Sequence, residues 1–238
     1  MKEMLKVGDK IPEFTYDTPY RPQNSFYGLV AARPICMVFL PNFGHPITRH
    51  FVAQYASDHE QLKDVELVCV VRSRPEVIAS HLDEDALPFT LICDAEGVLY
   101  DYFCIPTTQS RLKAYSVLTV KILNEAKKQG YQPPKDEVLS CPLTLLVGRE
   151  GQVLYSHYGQ TLTDLPENCS AIRNFSRSVV AKAREEGLIP PPLPRFYGQG
   201  KLAALENPEL DEEKQEHIRE AMSLLYGDAD EDEKQDGQ

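Results

Sequence analysis

The chain has 238 residues, 42% of them apolar, and a formal net charge of −11, which suits one large domain with appendages and a sizeable core. Residues 206–238 hold 13 acidic and 3 basic side chains, so the first 205 residues are nearly neutral and lack the clustered Lys/Arg of a nucleic-acid surface. No run of 18 apolar residues occurs, which excludes a membrane-spanning helix, and residues 1–6 carry no apolar signal core, so the expected location is the cytoplasm.

The first strong element in chain order is Ile35–Leu40, six apolar residues that predict a buried strand. A helix is expected over 47–62, a strand over Val65–Val71, a helix over 74–82 and a strand over Phe89–Cys93. This alternation predicts α/β layering with a parallel portion of sheet. Residues 110–129 predict one long helix, because Leu112, Tyr115, Leu118, Ile122 and Ala126 fall at helical spacing. Gly130 would close it, with Lys127 and Lys128 at the negative end of its dipole. Leu143–Val147 and Gln152–Tyr158 predict two strands joined by a hairpin turn at Gly148-Arg149-Glu150-Gly151, which makes the sheet mixed. A helix follows over 170–187, with Ser170 as expected N-cap and Gly187 at its end.

Residues 188–194, Leu-Ile-Pro-Pro-Pro-Leu-Pro, cannot be helix or central strand and predict a stiff extended linker. The expected organisation is a folded domain over 1–190, a Pro-rich linker over 191–206, and an acidic helix with a disordered end over 207–238. Asn207-Pro208 would open that helix, with Leu210, Ile218, Met222 and Leu225 as a thin apolar stripe. It serves either as a solubilising appendage or as a docking segment for a basic partner or a second subunit.

Phe39-Leu40-Pro41-Asn42-Phe43-Gly44-His45-Pro46-Ile47-Thr48-Arg49 has the frame of a thiol redox site. Its strand-to-helix junction would place a cysteine at position 45. There the first free N–H groups and the positive end of the helix dipole stabilise a thiolate. The sequence has His45 at that position and Thr48 at the second thiol position. His45 can cap or pack against the helix start, act on a ligand or a proton, or ligate a metal. The metal reading is disfavoured, because His50 is five residues on and off its helical face. No metal site and no cofactor are therefore assigned. The six cysteines at 36, 69, 93, 104, 141 and 169 form no Cys-x-x-Cys pair. Cys36, Cys69 and Cys93 fall in strands and read as small core hydrophobes, whereas Cys104 and Cys169 are expected to be more exposed.

Four blocks together resemble the AhpC/TSA, or peroxiredoxin-like, branch of the thioredoxin-fold superfamily. They are Val7–Phe14, Phe39–Arg49, Leu87–Asp94 with Leu99-Tyr100, and Leu139–Pro142 through Tyr155–Gly159. The resemblance covers about residues 5–165 and implies a thioredoxin-like fold, a central mixed β-sheet flanked by helices, with the acidic tail outside it. It implies reduction of hydroperoxides by an activated cysteine that becomes a sulfenic acid and is resolved by another thiol. A thioredoxin-like protein or another protein would be the partner, and a homodimer the assembly, with no nucleic acid or membrane involved. His45 and Thr48 replace the two thiols of the family block, so the expected state is a degenerate peroxidase whose cleft binds or scaffolds. Gly44, Pro46 and Arg49 would line that cleft. Pro142 matches the proline, usually cis, that faces the site in thioredoxin-like folds. The loop before it would bring Cys141 near His45. Cys141 is then either an activated thiol that keeps a redox function or a small residue filling space before the proline.

Overall fold

A computed structural model describes residues 4–108, 110–133 and 139–189. The expected linker at 191–206 and the acidic helix and tail at 207–238 lie outside the described residues.

The chain begins with an antiparallel pair, β1 (Thr15–Tyr16) and β2 (Asn24–Ser25), which leads directly into α1 (Phe26–Ala32). Ser25 caps α1 by accepting the Gly28 N–H at 3.0 Å. Then come β3 (Ile35–Leu40), α2 (Pro46–Asp58), β4 (Glu66–Val71), α3 (Pro75–Ala79) and β5 (Thr90–Cys93). After β5 follow α4 (Val98–Tyr102), β6 (Thr107–Thr108), α5 (Arg111–Ala114) and α6 (Val117–Lys128). The last elements are β7 (Leu139–Ser140), β8 (Leu143–Val147), β9 (Val153–Tyr158) and α7 (Cys169–Glu185).

The central sheet has the order β5-β4-β3-β8-β9. β3 pairs parallel with β4 and antiparallel with β8, and β8 and β9 form the expected hairpin. Side chains alternate across this sheet. On one face Cys36, Val38, Leu40, Leu67, Cys69 and Val71 pack with α2, α6 and α7. On the other, Ile35, Met37, Phe39, Val68 and Val70 pack with Phe26, Val30, Tyr100 and Phe103. The chain therefore has a mixed sheet covered by helices on both faces, as the apolar runs predict. No described helix is long and apolar enough to cross a membrane.

Four expectations are corrected. The long helix over 110–129 is two helices, broken at Tyr115-Ser116. The Ala114 carbonyl accepts the Leu162 N–H at 2.8 Å. Ser116 turns its hydroxyl to the Thr119 N–H at 3.1 Å as a new N-cap. The Thr163 hydroxyl lies 2.6 Å from that of Ser116 and fixes the break from outside the segment. In consequence Leu112, expected on the buried face, is exposed. At α7 the N-cap is Asn168, whose Oδ1 accepts the Ala171 N–H at 2.9 Å, while Ser170 is helical and bonds the Gln61 side chain. Cys169 is buried, not exposed, because its amide donates to Asp58 and its thiol to the Tyr55 carbonyl.

The fourth correction concerns Pro142, since no peptide bond among the described residues is cis. Cys141 donates its N–H to the Pro106 carbonyl at 3.0 Å, and the Pro142 carbonyl accepts from Gly159 at 2.8 Å. The first bond extends the β6–β7 pairing and the second the β8–β9 pairing, and a trans bond, the commoner X–Pro isomer, joins the two. Gly159 allows the approach. A Cβ there would lie 2.7 Å from both the Asp164 carbonyl oxygen and Pro142 Cγ. Gly159→Ala should therefore destabilise the fold by roughly 1–3 kcal/mol in urea unfolding. Gly28→Ala, whose new methyl meets only Ser25 at 3.6 Å inside α1, should be neutral or stabilising. Equal stability of the two variants would contradict this packing.

Candidate functional site

Strand β3 ends where Pro41, lacking an N–H, cannot continue the ladder. The chain turns back at once, with His45 N–H donating to the Asn42 carbonyl at 3.0 Å. The Phe43 N–H donates to the Ser73 hydroxyl at 2.8 Å, which ties this loop to the end of β4. Pro46 then starts α2 at its first helical position, where its fixed φ suits the helix and no donor is lost.

His45 is the N-cap of α2. Its Nδ1 accepts the Ile47 N–H at 3.2 Å, which places the proton of the neutral ring on Nε2. Its ring meets that of Tyr131 edge-on, with centroids 6.1 Å apart. Only 2% of the residue is exposed, and burial lowers its pKa to about 4. At neutral pH His45 is therefore an uncharged imidazole that satisfies the helix start. Thr48 is also buried, and its hydroxyl donates to the Pro41 carbonyl at 3.2 Å, closing the loop across seven residues. Gly44 and Arg49 are exposed and Pro46 is buried.

Cys141 and Pro142 reach the same end of the sheet from the other side. Phe39 pairs with Leu143, the first residue of β8, so Pro142 and Cys141 lie just before β8 at the end of the sheet where β3 stops. Cys141 is buried and its thiol points to the Gln160 carbonyl at 3.8 Å. Burial and the nearby Asp164 carboxylate both raise its pKa. The other strand and helix thiols are likewise held protonated: burial raises Cys36 and Cys69, and pushes Cys93 and Cys169 up to about 12.

Two residues that the sequence reading passed over, Ser73 and Tyr131, complete the site together with Tyr100, which it named only within a block of the resemblance. Ser73 anchors the loop, Tyr131 covers His45, and Tyr100 lies buried beneath the sheet end with its hydroxyl directed to the carbonyls of Leu40 and Val70. Asp94 positions Tyr100 by accepting the N–H groups of Val98, Leu99 and Tyr100 at the start of α4. Beside the site, Pro46, Arg49, His50, Ile122, Glu125 and Tyr131 border an open cavity of about 470 Å³ between α2 and α6. Its walls offer a guanidinium, an imidazole and a carboxylate over an apolar floor, a lining suited to binding. The arrangement holds no low-pKa thiol at the helix start.

No family model matches the chain, and no curated protein matches it in sequence. Solved structures do match it. The yeast mitochondrial 1-Cys peroxiredoxin, whose thiol is resolved through glutathione/thioredoxin systems, aligns at 13% identity over 77% of this chain and 80% of that chain, with a TM-score of 0.54. The peroxiredoxin-like protein from Aquifex aeolicus aligns at 14% identity over 74% and 89%, with a TM-score of 0.53. Peroxidoxin BcpB from Mycobacterium tuberculosis aligns at 13% over 75% and 98%, with a TM-score of 0.52. The chain has the thioredoxin-like fold of the peroxiredoxins.

The buried cap has a pH consequence. The folded-state pKa of His45 lies below its ordinary 6.5, so on acidification the unfolded chain takes up this proton first. The stability that neutral His45 contributes is complete above pH 6.5 and is lost as pH falls towards 4, on the order of 3 kcal/mol over the full range. His45→Asn keeps a capping side chain but does not titrate there. Between pH 7.5 and 4.5, the native chain should lose more stability in urea unfolding than His45→Asn does. A His45 ring that titrates near 6.5 by NMR would refute the assignment.

Proposed function

We propose that this protein is a peroxiredoxin-fold member that has lost thiol peroxidase chemistry at the start of α2 and uses the former active-site cleft to bind or scaffold. The single observation that carries this reading is His45. It occupies the position where a thiol would meet the helix N-terminus, and it spends its Nδ1 on the Ile47 N–H. An imidazole has no two-electron route to a sulfenic acid, and the Thr48 hydroxyl is committed to the Pro41 carbonyl. The competing assignment of a redox role to Cys141 is disfavoured, because burial and Asp164 stabilise its protonated form and a catalytic cysteine needs the thiolate. The cavity between α2 and α6, with Pro46 and Arg49 on its border, supports binding as the retained role.

Purified protein supplied with thioredoxin or a dithiol should not turn over hydrogen peroxide or alkyl hydroperoxides above the buffer rate. Robust turnover would overturn the reading. Turnover that disappears in Cys141→Ser would assign the chemistry to Cys141 instead.

The frame can also be tested by restoring sulfur to it. In the double variant His45→Cys, Thr48→Cys, the two sulfurs stand three residues apart on the first turn of α2. The thiol at position 45 should titrate below the ~8.5 of free cysteine and pair reversibly with that at position 48. The pH dependence of alkylation and the mass after mild oxidation report the two properties. Thiols that titrate as ordinary surface cysteines and stay unpaired would show that residues 39–49 are not a redox-site frame.

A further inference from the structure

The cavity beside His45 carries opposite charges on its two walls. One wall is the start of α2, where Pro46, Arg49 and His50 stand at i, i+3 and i+4 and share a face. The other is the end of α6 with its C-cap, where Ile122, Glu125, Ala126 and Gln129 stand at i, i+3, i+4 and i+7. Arg49 and Glu125 are both exposed and border the same cavity without pairing. Among the described residues, neither side chain makes a hydrogen bond or an ion pair. Glu125 also makes none with Lys121 or Lys128, which stand one turn away on its own helix. It is the one carboxylate of α6, and it lines the cavity.

Such walls discriminate by charge. A purely anionic ligand would meet Glu125 as a like charge, and a purely cationic one would meet Arg49. An uncharged apolar ligand would cover both charges without pairing them, which costs free energy. A molecule with one carboxylate and one ammonium satisfies both walls. We infer that the cavity, in the binding role proposed above and resting on it, takes a short zwitterionic peptide, with its carboxylate on Arg49 and His50 and its ammonium on Glu125. Arg49 presents a planar fork that can hold a carboxylate through two parallel N–H groups. Gln129 carries both a donor and an acceptor, which suits the peptide group between the two ends. Pro46, Ile122 and Ala126 supply apolar surface for a side chain. The volume of about 470 Å³ is the liquid share of on the order of fifteen waters. A di- or tripeptide fills that space, whereas a single amino acid leaves much of it wet. The carboxylate is held by side chains and not by the start of α2, because His45 already takes the Ile47 N–H.

Calorimetric titration of the full chain with the dipeptide Ala-Leu tests this assignment. Ala-Leu should bind. Blocking either end, as N-acetyl-Ala-Leu or as Ala-Leu amide, should weaken binding at least about tenfold, since each block removes one charged contact. Free leucine should bind more weakly than Ala-Leu. Arg49→Gln should weaken Ala-Leu to the level of its amide and leave the amide itself unaffected. Glu125→Gln should do the same for Ala-Leu and its acetylated form. Both substitutions are at exposed positions, so the thermal midpoint should stay where it is. Absence of Ala-Leu binding at millimolar concentration would overturn the proposal, and so would affinities that both variants leave unchanged. End-blocked peptides that bind as tightly as Ala-Leu, and lose that binding in Arg49→Gln, would overturn the zwitterionic ligand while keeping the cavity as a binding site. Peroxide turnover is a separate readout, which bears on the loss of peroxidase chemistry and not on Ala-Leu affinity.

Discussion

Strand β3 is hydrogen-bonded along both edges and packed with apolar side chains on both faces, and the rest of the structure is arranged around that double burial. A polar side chain anywhere in Ile35–Leu40 would be stranded without water, at a cost of several kcal/mol if unpaired. The strand must also stop where its neighbours stop. Pro41 ends its ladder, the Tyr100 hydroxyl engages the Leu40 and Val70 carbonyls, and Ser73 takes up the Phe43 amide. These contacts come from three separate parts of the chain and converge on one corner. That convergence fixes where α2 begins, and so where His45 and Thr48 stand.

The far end of α2 is anchored as firmly as its start. Tyr55 donates its hydroxyl to the Pro166 carbonyl at 2.6 Å, and Asp58 accepts the Cys169 amide at 3.1 Å. The thiol of Cys169 bonds the Tyr55 carbonyl, so the first turn of α7 is tied to the last turns of α2. This joint lies over the same sheet face as Cys36 and Cys69, where desolvation keeps every thiol protonated. The core cysteines act there as small apolar side chains, in agreement with their place in apolar runs.

Strand β3 and most of β4 were legible because strands buried on both faces read as unbroken apolar runs, and the β8–β9 hairpin because two glycines flank its turn. The break at Ser116 was not legible. Leu112, Tyr115 and Leu118 keep helical spacing straight through it, and the groups that force it, the Leu162 amide and the Thr163 hydroxyl, come from more than 40 residues away. Helix α1 was missed because seven residues give too short a window for periodicity. Cys169 read as exposed because polar Asn168 and Ser170 flank it, although both are spent on a cap and a bond to Gln61. The place of His45 and Thr48 at the start of α2 was legible from their position after a buried strand. Ser73 and Tyr131 were not, since nothing local in the sequence distinguishes them. The position of Pro142 was legible but its isomer was not, because that depends on bonds to Pro106 and Gly159.

The cap at His45 also changes what the corner can attract. A helix of thirteen residues normally meets solvent with several unbonded N–H groups and a partial positive charge, and anions collect there. Here the Ile47 donor is taken by the chain's own imidazole, and proline at position 46 removes another. A phosphate, sulfate or carboxylate arriving at this helix start would have to compete with a buried internal acceptor that carries no charge and needs no counterion. The helix start thus has less to offer an anion than an uncapped one. Under the binding role proposed above, selectivity comes from the shape and side chains of the neighbouring cavity, and not from the pull of the helix itself.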